Sequence, residues 1–189
     1  MAETKAIPQA LADAIDSCRP QIFRFLLLSV REAETAERLT RHCLSLAYLE
    51  WFNLHQYTTT AAWLMGIAIR IQRRYFLKRR FVFWRQPPKD TTSVVDLKDW
   101  TPINRSSLEL RVFAREQVRR AWKAVNAMND NERTIFLLRF VEDFNWNDIT
   151  EATKLEECVV KECLSLALRR VRVELKGVQA ATASGTRNL

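Results

Sequence analysis

Between Arg70 and Arg85 the chain places seven cations (Arg70, Arg73, Arg74, Lys78, Arg79, Arg80 and Arg85) and no acid. Tyr75, Phe76, Phe81, Phe83 and Trp84 are interleaved with them. Guanidinium and ammonium groups hold a phosphate backbone and release its counterions. Exposed aromatic rings offer unpaired bases a surface to stack on. The mixture suits a grip on single-stranded or melting nucleic acid. Two other readings of these residues stay open: a solvated basic face with its rings in the core, and a helix lying on an anionic membrane. Bond-making chemistry has little to stand on. Neither His42 nor His55 sits in a motif with a nucleophile, and no glycine-rich phosphate loop is present. Cys18, Cys43, Cys158 and Cys163 form no C-x-x-C pair, and the histidines lack metal-ligand spacing. The sequence therefore predicts no catalytic site, no metal site and no cofactor, with the cysteines as small apolar packing residues in a reducing cytoplasm.

A second group of candidate contacts lies on Asn129–Leu175, which reads as three consecutive helices. Asn129 and Glu132 make an N-x-x-E capping box ahead of Ile135, Phe136, Leu137 and Leu138. Asn145 and Asp148 repeat it, with Phe144 and Ile149 spaced to staple across the turn. A third helix begins near Glu156 and keeps Val160, Leu164, Ala167, Leu168, Val171 and Leu175 on one face. Two short helices joined by Thr153–Leu155 make a helix-turn-helix, whose second helix enters a DNA major groove. A plain three-helix bundle fits the same periodicity.

The elements that carry these groups form an all-α chain. Its 189 residues are 48% apolar, with three glycines and five prolines, and no run alternates with period two. A net charge of +8 points to a polyanionic partner. Met1–Leu11 lacks the pattern of a signal peptide, and Ile22–Val30 is too short to span a bilayer. Residues 9–30 read as helix that restarts with Pro20 in its first turn. A second helix covers about Glu32–Phe52 with Leu39, Cys43, Ala47 and Trp51 inward. A third starts near Thr60 and becomes the basic segment. Pro87, Pro88, Thr91, Thr92, Ser93 and Pro102 then break helix potential. Ser106 and Glu109 cap the next helix. The layout is two small helical domains joined by a linker: 1–85, a linker at 86–105, a helix-turn-helix domain at 106–176, and a flexible tail at 177–189.

With these residues assembled, the chain resembles a bacterial sigma factor of the extracytoplasmic-function group. ERTIFLLRFVEDFNWNDITEAT, 132 to 153, is similar to that family's R-x-x-F-L-L-R-x-x-E-x-x-x-x-E-I-A-E segment. Val160–Lys161 and Ala167–Arg170 fall on its T-V-K-S-R-L-x-R-A continuation, and AWLMGIA, 62 to 68, is similar to A-W-L-x-x-I-A. The resemblance covers about 15–176. It implies a first domain that binds the polymerase clamp and captures the opened −10 strand, and a second that reads the −35 duplex. The opened strand would meet Arg70, Arg73, Arg74, Lys78, Arg79 and Arg80. The duplex would meet Glu157, Lys161, Glu162, Arg169 and Arg170. The clamp would meet Glu37, Arg38, Arg41 and His42. Trp63 occupies a family position, but its apolar neighbours make it core rather than strand contact.

The departures are specific. Where the family has an acidic D-A-E-D-L-x-Q-E/D pattern, only Glu37 keeps its charge and Arg38 reverses one. Arg70 and Arg74 replace an Asn and an Asp. The family's turn glycine aligns with Lys154, which predicts a strained left-handed residue costing on the order of 1 kcal/mol. Its capping serine aligns with Glu156. From Glu156 to Leu168 three acids face one cation, Lys161, which disfavours a helix between phosphate rows. The resemblance thus implies a promoter-recognition subunit in the cytoplasm with core RNA polymerase and promoter DNA as partners, an anti-sigma factor as a further partner, and no membrane insertion. Two alternatives remain: a degenerate sigma-like protein that binds an anti-sigma factor or another regulator without reading a promoter, and a self-standing helix-turn-helix regulator.

Overall fold

Several helices begin where a short polar residue or a proline sets the backbone. The computed structural model describes residues 8–83 and 108–185, with side-chain surroundings for 8–79 and 116–176. Helix α1 is Gln9–Ser17; α2, Arg19–Val30, restarts with Pro20 in its first turn, where a missing N–H costs nothing. Arg31, left-handed at φ 63°, ends α2. Helix α3 spans Ala33–Glu50 and tightens into a 3₁₀ segment, Trp51–Gln56, within the stretch expected as helix end and loop. Helix α4, Thr60–Phe83, starts at Thr59, whose Oγ1 accepts from Ala62 N at 3.1 Å. After the undescribed 84–107 come α5, Leu108–Asn126; α6, Asp130–Phe140; α7, Trp146–Thr153; and α8, Glu157–Gly185. The chain is all-helical, with no strand among the described residues. The predicted linker 86–105, its prolines, Ser106 and Trp84–Arg85 lie outside the described residues, as do the surroundings of Phe81, Phe83 and Glu109. Helix α8 runs past Lys176, where the sequence pattern placed the start of a tail.

The chain divides into two units, Met1–Val95 with Leu137–Glu157, and Asp96–Phe136 with Cys158–Leu189. The first is built on α4, which packs against α3 on one side and α7 on another, with α2 against α3. Its core holds Ile15, Phe25, Leu26, Cys43, Trp63, Leu64, Met65 and Ile69, together with Leu138, Phe144 and Ile149. Phe144 and Ile149 are both buried, as a staple across the Asn145 cap requires. Asn145 Oδ1 accepts from Asp148 N at 2.8 Å. Asn145→Ala should therefore cost about 1 kcal/mol, read as a lower urea midpoint at unchanged slope. An unchanged midpoint would mean water replaces the cap without loss.

Burial also ties residues that are far apart in sequence. Arg24 donates from Nε to Glu142 Oε1 at 2.9 Å and from Nη2 to Oε2 at 2.5 Å, and the Glu142 side chain is 0% exposed. Gln21 adds a bond to Glu142 O. Together these hold the turn between α6 and α7 against α2.

In the second unit Val125, Met128 and Ala167 form a buried cluster, with Trp122, Phe136 and Val171 packed around it. The α6 capping box is complete: Asn129 Oδ1 accepts from Glu132 N at 2.8 Å, and Glu132 Oε2 accepts from Asn129 N at 3.4 Å. Arg133 donates to Val125 O and Asn126 O at the end of α5 and to Met128 O in the turn that follows. On α5, Glu116 accepts from Arg119 and Arg120, and these bonds hold its carboxyl down at about 2 against an ordinary 4.5. The depressed value means that this contribution to stability is complete above pH 4.5 and is lost as pH falls through about 2. A carboxyl-resolved NMR titration should find that midpoint at low salt and a rise toward 4.5 in about 1 M salt, where charges are screened within about 3 Å. A midpoint at 4.5 in low salt would overturn it.

Candidate nucleic-acid interface

The cations of α4 follow from helical spacing. Arg70, Arg73, Arg74 and Lys78 stand at i, i+3, i+4 and i+8, within an arc of about 140°, whereas Arg79 at i+9 points about 180° away from Arg70. All five are exposed, while Ile67, Ala68, Ile71 and Gln72 face inward. The surroundings of Arg80 lie outside the described residues. Arg70 is drawn to Glu50 at 2.6 Å. The thiol of Cys43, beneath this pair, is pushed up to about 12 by burial, which outweighs the opposing effect of Arg70. Of the interleaved rings, Tyr75 and Phe76 are half-buried and meet edge-on at 5.5 Å. They are partly packed, so the stacking surface expected from composition is smaller than the ring count. Leu77, 54% exposed, is a large apolar side chain open to solvent there.

Helix α7 lies against the start of α4 and is tied there by polar contacts. Thr58 N donates to Glu151 Oε2 at 2.8 Å, and Thr58 Oγ1 donates to Glu151 Oε1. These bonds lower the Glu151 carboxyl below its usual range. Thr59 Oγ1 donates to Asp148 Oδ1 at 3.1 Å. Gly66 lets the two helices come close: a Cβ there would stand 3.3 Å from Ala152 O. Lys154 ends α7 in the left-handed conformation, φ 57°, as the glycine alignment predicted. Its N–H donates to Thr150 O at 2.9 Å, and its Nζ lies 3.9 Å from the Tyr57 ring centroid. Such a contact is worth about 0.5–2 kcal/mol and offsets the backbone strain. Residues of α3, the 3₁₀ segment, α4 and the end of α7 line a cavity, open to solvent, of about 500 Å³ within this unit.

On α8 the outward stripe runs Cys158, Lys161, Glu162, Ser165, Leu166 and Arg169, opposite buried Val160, Leu164 and Ala167. Glu157 is exposed beside it. The sequence-predicted duplex contacts Lys161, Glu162 and Arg169 thus share a face, with the acid Glu162 on it. Arg170 is placed differently: its Nε pairs with Glu132 Oε2 at 3.0 Å, a carboxylate 2% exposed. That pair serves the cap of α6 as well. Near the other end of the chain Arg38, Arg41 and His42 are exposed on α3, whereas Glu37 accepts from Arg19 at 2.6 Å and lies 3.9 Å from Arg41. The one acid of the predicted clamp face is already paired within the chain. Among the described residues no group of three metal-ligating side chains comes together, and no helix is long and apolar enough to cross a membrane.

Sequence reasoning passed over Tyr57, Thr58, Thr59, Glu142 and Glu151. Each acts through a partner about a hundred positions away or on another element, and no local spacing signals that.

No family model matches the chain, and no curated protein matches it in sequence. Among solved structures the chain is similar to the sigma factor RpoE from Bartonella quintana, determined as a co-crystal with the anti-sigma factor NepR. The TM-score is 0.58 at 18% identity, over 89% of this chain and 98% of that one. The chain has a sigma-factor-like fold. The exposed cations of α4 lie on the first unit and the outward stripe of α8 on the second.

Proposed function

We propose that the protein is a sigma factor of the extracytoplasmic-function type, which binds core RNA polymerase and directs it to promoter DNA in the cytoplasm. The observation that carries this reading is the structural likeness to a sigma factor over nearly the whole of both chains. The exposed Arg70, Arg73, Arg74 and Lys78 on one face of α4 support it, since a melting strand needs positive charge along one helix face. In this reading 1–85 acts as the −10 and polymerase domain. Residues 106–176 act as the −35 domain, with α7 and α8 as its helix-turn-helix. Polymerase supplies the bond chemistry, and the chain supplies binding and placement only. The experiment is co-purification with core polymerase at moderate salt, followed by run-off transcription on genomic fragments. Retention on core with initiation at defined start sites is expected; failure to bind core would sink the proposal.

A second reading, a sigma-like protein held by an anti-sigma factor with weak promoter reading, is favoured by one observation. Glu157 and Glu162 stand exposed on α8 where duplex phosphates would approach. Neutralising both, Glu157→Ala with Glu162→Ala, should raise duplex affinity several-fold at low salt and leave partner binding unchanged. Loss of binding to one promoter sequence alone would instead make the acids base readers, because a carboxylate accepts from cytosine N4. Fluorescence anisotropy on matched and scrambled duplexes separates the two.

A further inference from the structure

We propose that α7 is latched onto α4 in an autoinhibitory contact closed by Lys154, and that a nucleic-acid strand reaches the basic face of α4 only when the latch opens. The inference rests on the reading of Arg70, Arg73 and Arg74 as strand contacts. In that reading α7 works with α8 in a helix-turn-helix, yet it packs on α4 within the first unit. Its end stands at the face in question: Ala152, Thr153 and Lys154 line the same open cavity as Arg70, Arg73 and Arg74. A strand laid along those arginines would run into it.

Asp148, Glu151 and Lys154 hold α7 to the short segment before α4. Glu151 accepts from Thr58 N at 2.8 Å and from Thr58 Oγ1, and Asp148 accepts from Thr59 Oγ1 at 3.1 Å. The Lys154 ammonium lies 3.9 Å from the Tyr57 ring centroid. These contacts are near the surface: Thr58 and Lys154 are exposed, and Asp148 and Glu151 are half-buried. Water can replace them, so each is weak and opens reversibly. The apolar hold at this end is small, because Ala152 meets Gly66 and neither brings much area. The other end is anchored. The buried carboxylate of Glu142, paired with Arg24, fixes the turn before α7, so the end of the helix lifts about that turn. Lys154 stands where the sigma-factor pattern has a glycine, and its backbone is left-handed at φ 57°. Glycine adopts that conformation without strain. What the strained lysine adds is its ammonium on the Tyr57 ring, which closes the latch.

Residue-resolved amide exchange of the full chain, with fluorescence anisotropy on a single-stranded oligonucleotide, tests it. Thr58 N–H donates to Glu151, so its exchange rate reads the latch without any DNA. Lys154→Gly removes the contact with Tyr57 and relieves the backbone, so the chain folds at least as well. Thr58 exchange should quicken by about fivefold. Strand affinity should rise by about threefold, because a closed state that cannot bind lowers apparent affinity by the fraction that is open. The direction is decisive, since loss of one cation by itself weakens strand binding. Glu151→Ala should move both readouts the same way. Unchanged Thr58 exchange in Lys154→Gly, or a strand affinity that stays level or falls, overturns the latch. Quickened exchange with no strand binding by any form of the chain would sink the strand-contact reading, and the inference with it.

Discussion

Arg24→Ala is expected to destabilise the first unit by about 3–5 kcal/mol, because it leaves the Glu142 carboxylate buried without its partner. The pair is bidentate, at 2.9 and 2.5 Å, and the two ends differ in surroundings: the Glu142 side chain is 0% exposed and that of Arg24 is 43% exposed. The hydrogen bonds to Glu142 raise the Arg24 guanidinium above its ordinary pKa and outweigh the desolvation that lowers it. The asymmetry predicts an order of effects. Removing the arginine strands a charge that water cannot reach. Glu142→Gln leaves a guanidinium that water reaches in part, and should cost about 1–3 kcal/mol. Partial exposure of Arg24 places its own cost toward the lower end of the stated range. Urea unfolding of both variants decides, and a larger loss in Glu142→Gln than in Arg24→Ala would overturn the account. Hydrogen exchange should localise the change to α2 and the turn before α7.

Trp63→Ala should cost about 3–5 kcal/mol, the ordinary range for emptying a large aromatic site in a core. Trp63 is 2% exposed and sits among Ala62, Leu64, Met65 and Ile67, themselves buried. The resemblance to sigma factors sets this residue in the segment AWLMGIA, where strand contact and core packing are rival roles. Burial decides for packing. Trp63→Phe keeps a ring in the site and should cost less than the alanine change, with single-strand binding unchanged within about twofold at matched folded fraction. Loss of strand affinity in Trp63→Phe at unchanged melting temperature would give the ring a role in binding after all.

How much of this was legible beforehand differs by residue. Asn129, Glu132, Asn145 and Asp148 announce their caps because donor and acceptor lie three residues apart. Lys154 announces a left-handed turn through its alignment with a glycine, and φ 57° bears that out. The all-helical class follows from few glycines, few prolines and an absence of period-two alternation. The partners of the basic residues were not legible. Arg70 meets Glu50 and Arg170 meets buried Glu132, and nothing in the local pattern names those partners. Glu37 reads as the surviving acid of a polymerase-facing pattern, yet its charge is already shared with Arg19.

From its sequence alone this protein is determined to be an all-helical chain with its helix starts at caps and prolines and its cations on α4, because these features depend on neighbours within about one turn. Only the tertiary structure decided which charges are engaged and where a cavity forms. Arg24 and Glu142 are 118 positions apart, and Thr58 and Glu151 are 93 apart. Such pairs are set by the packing of whole helices, in which a buried carboxylate must find its donor wherever the chain brings one.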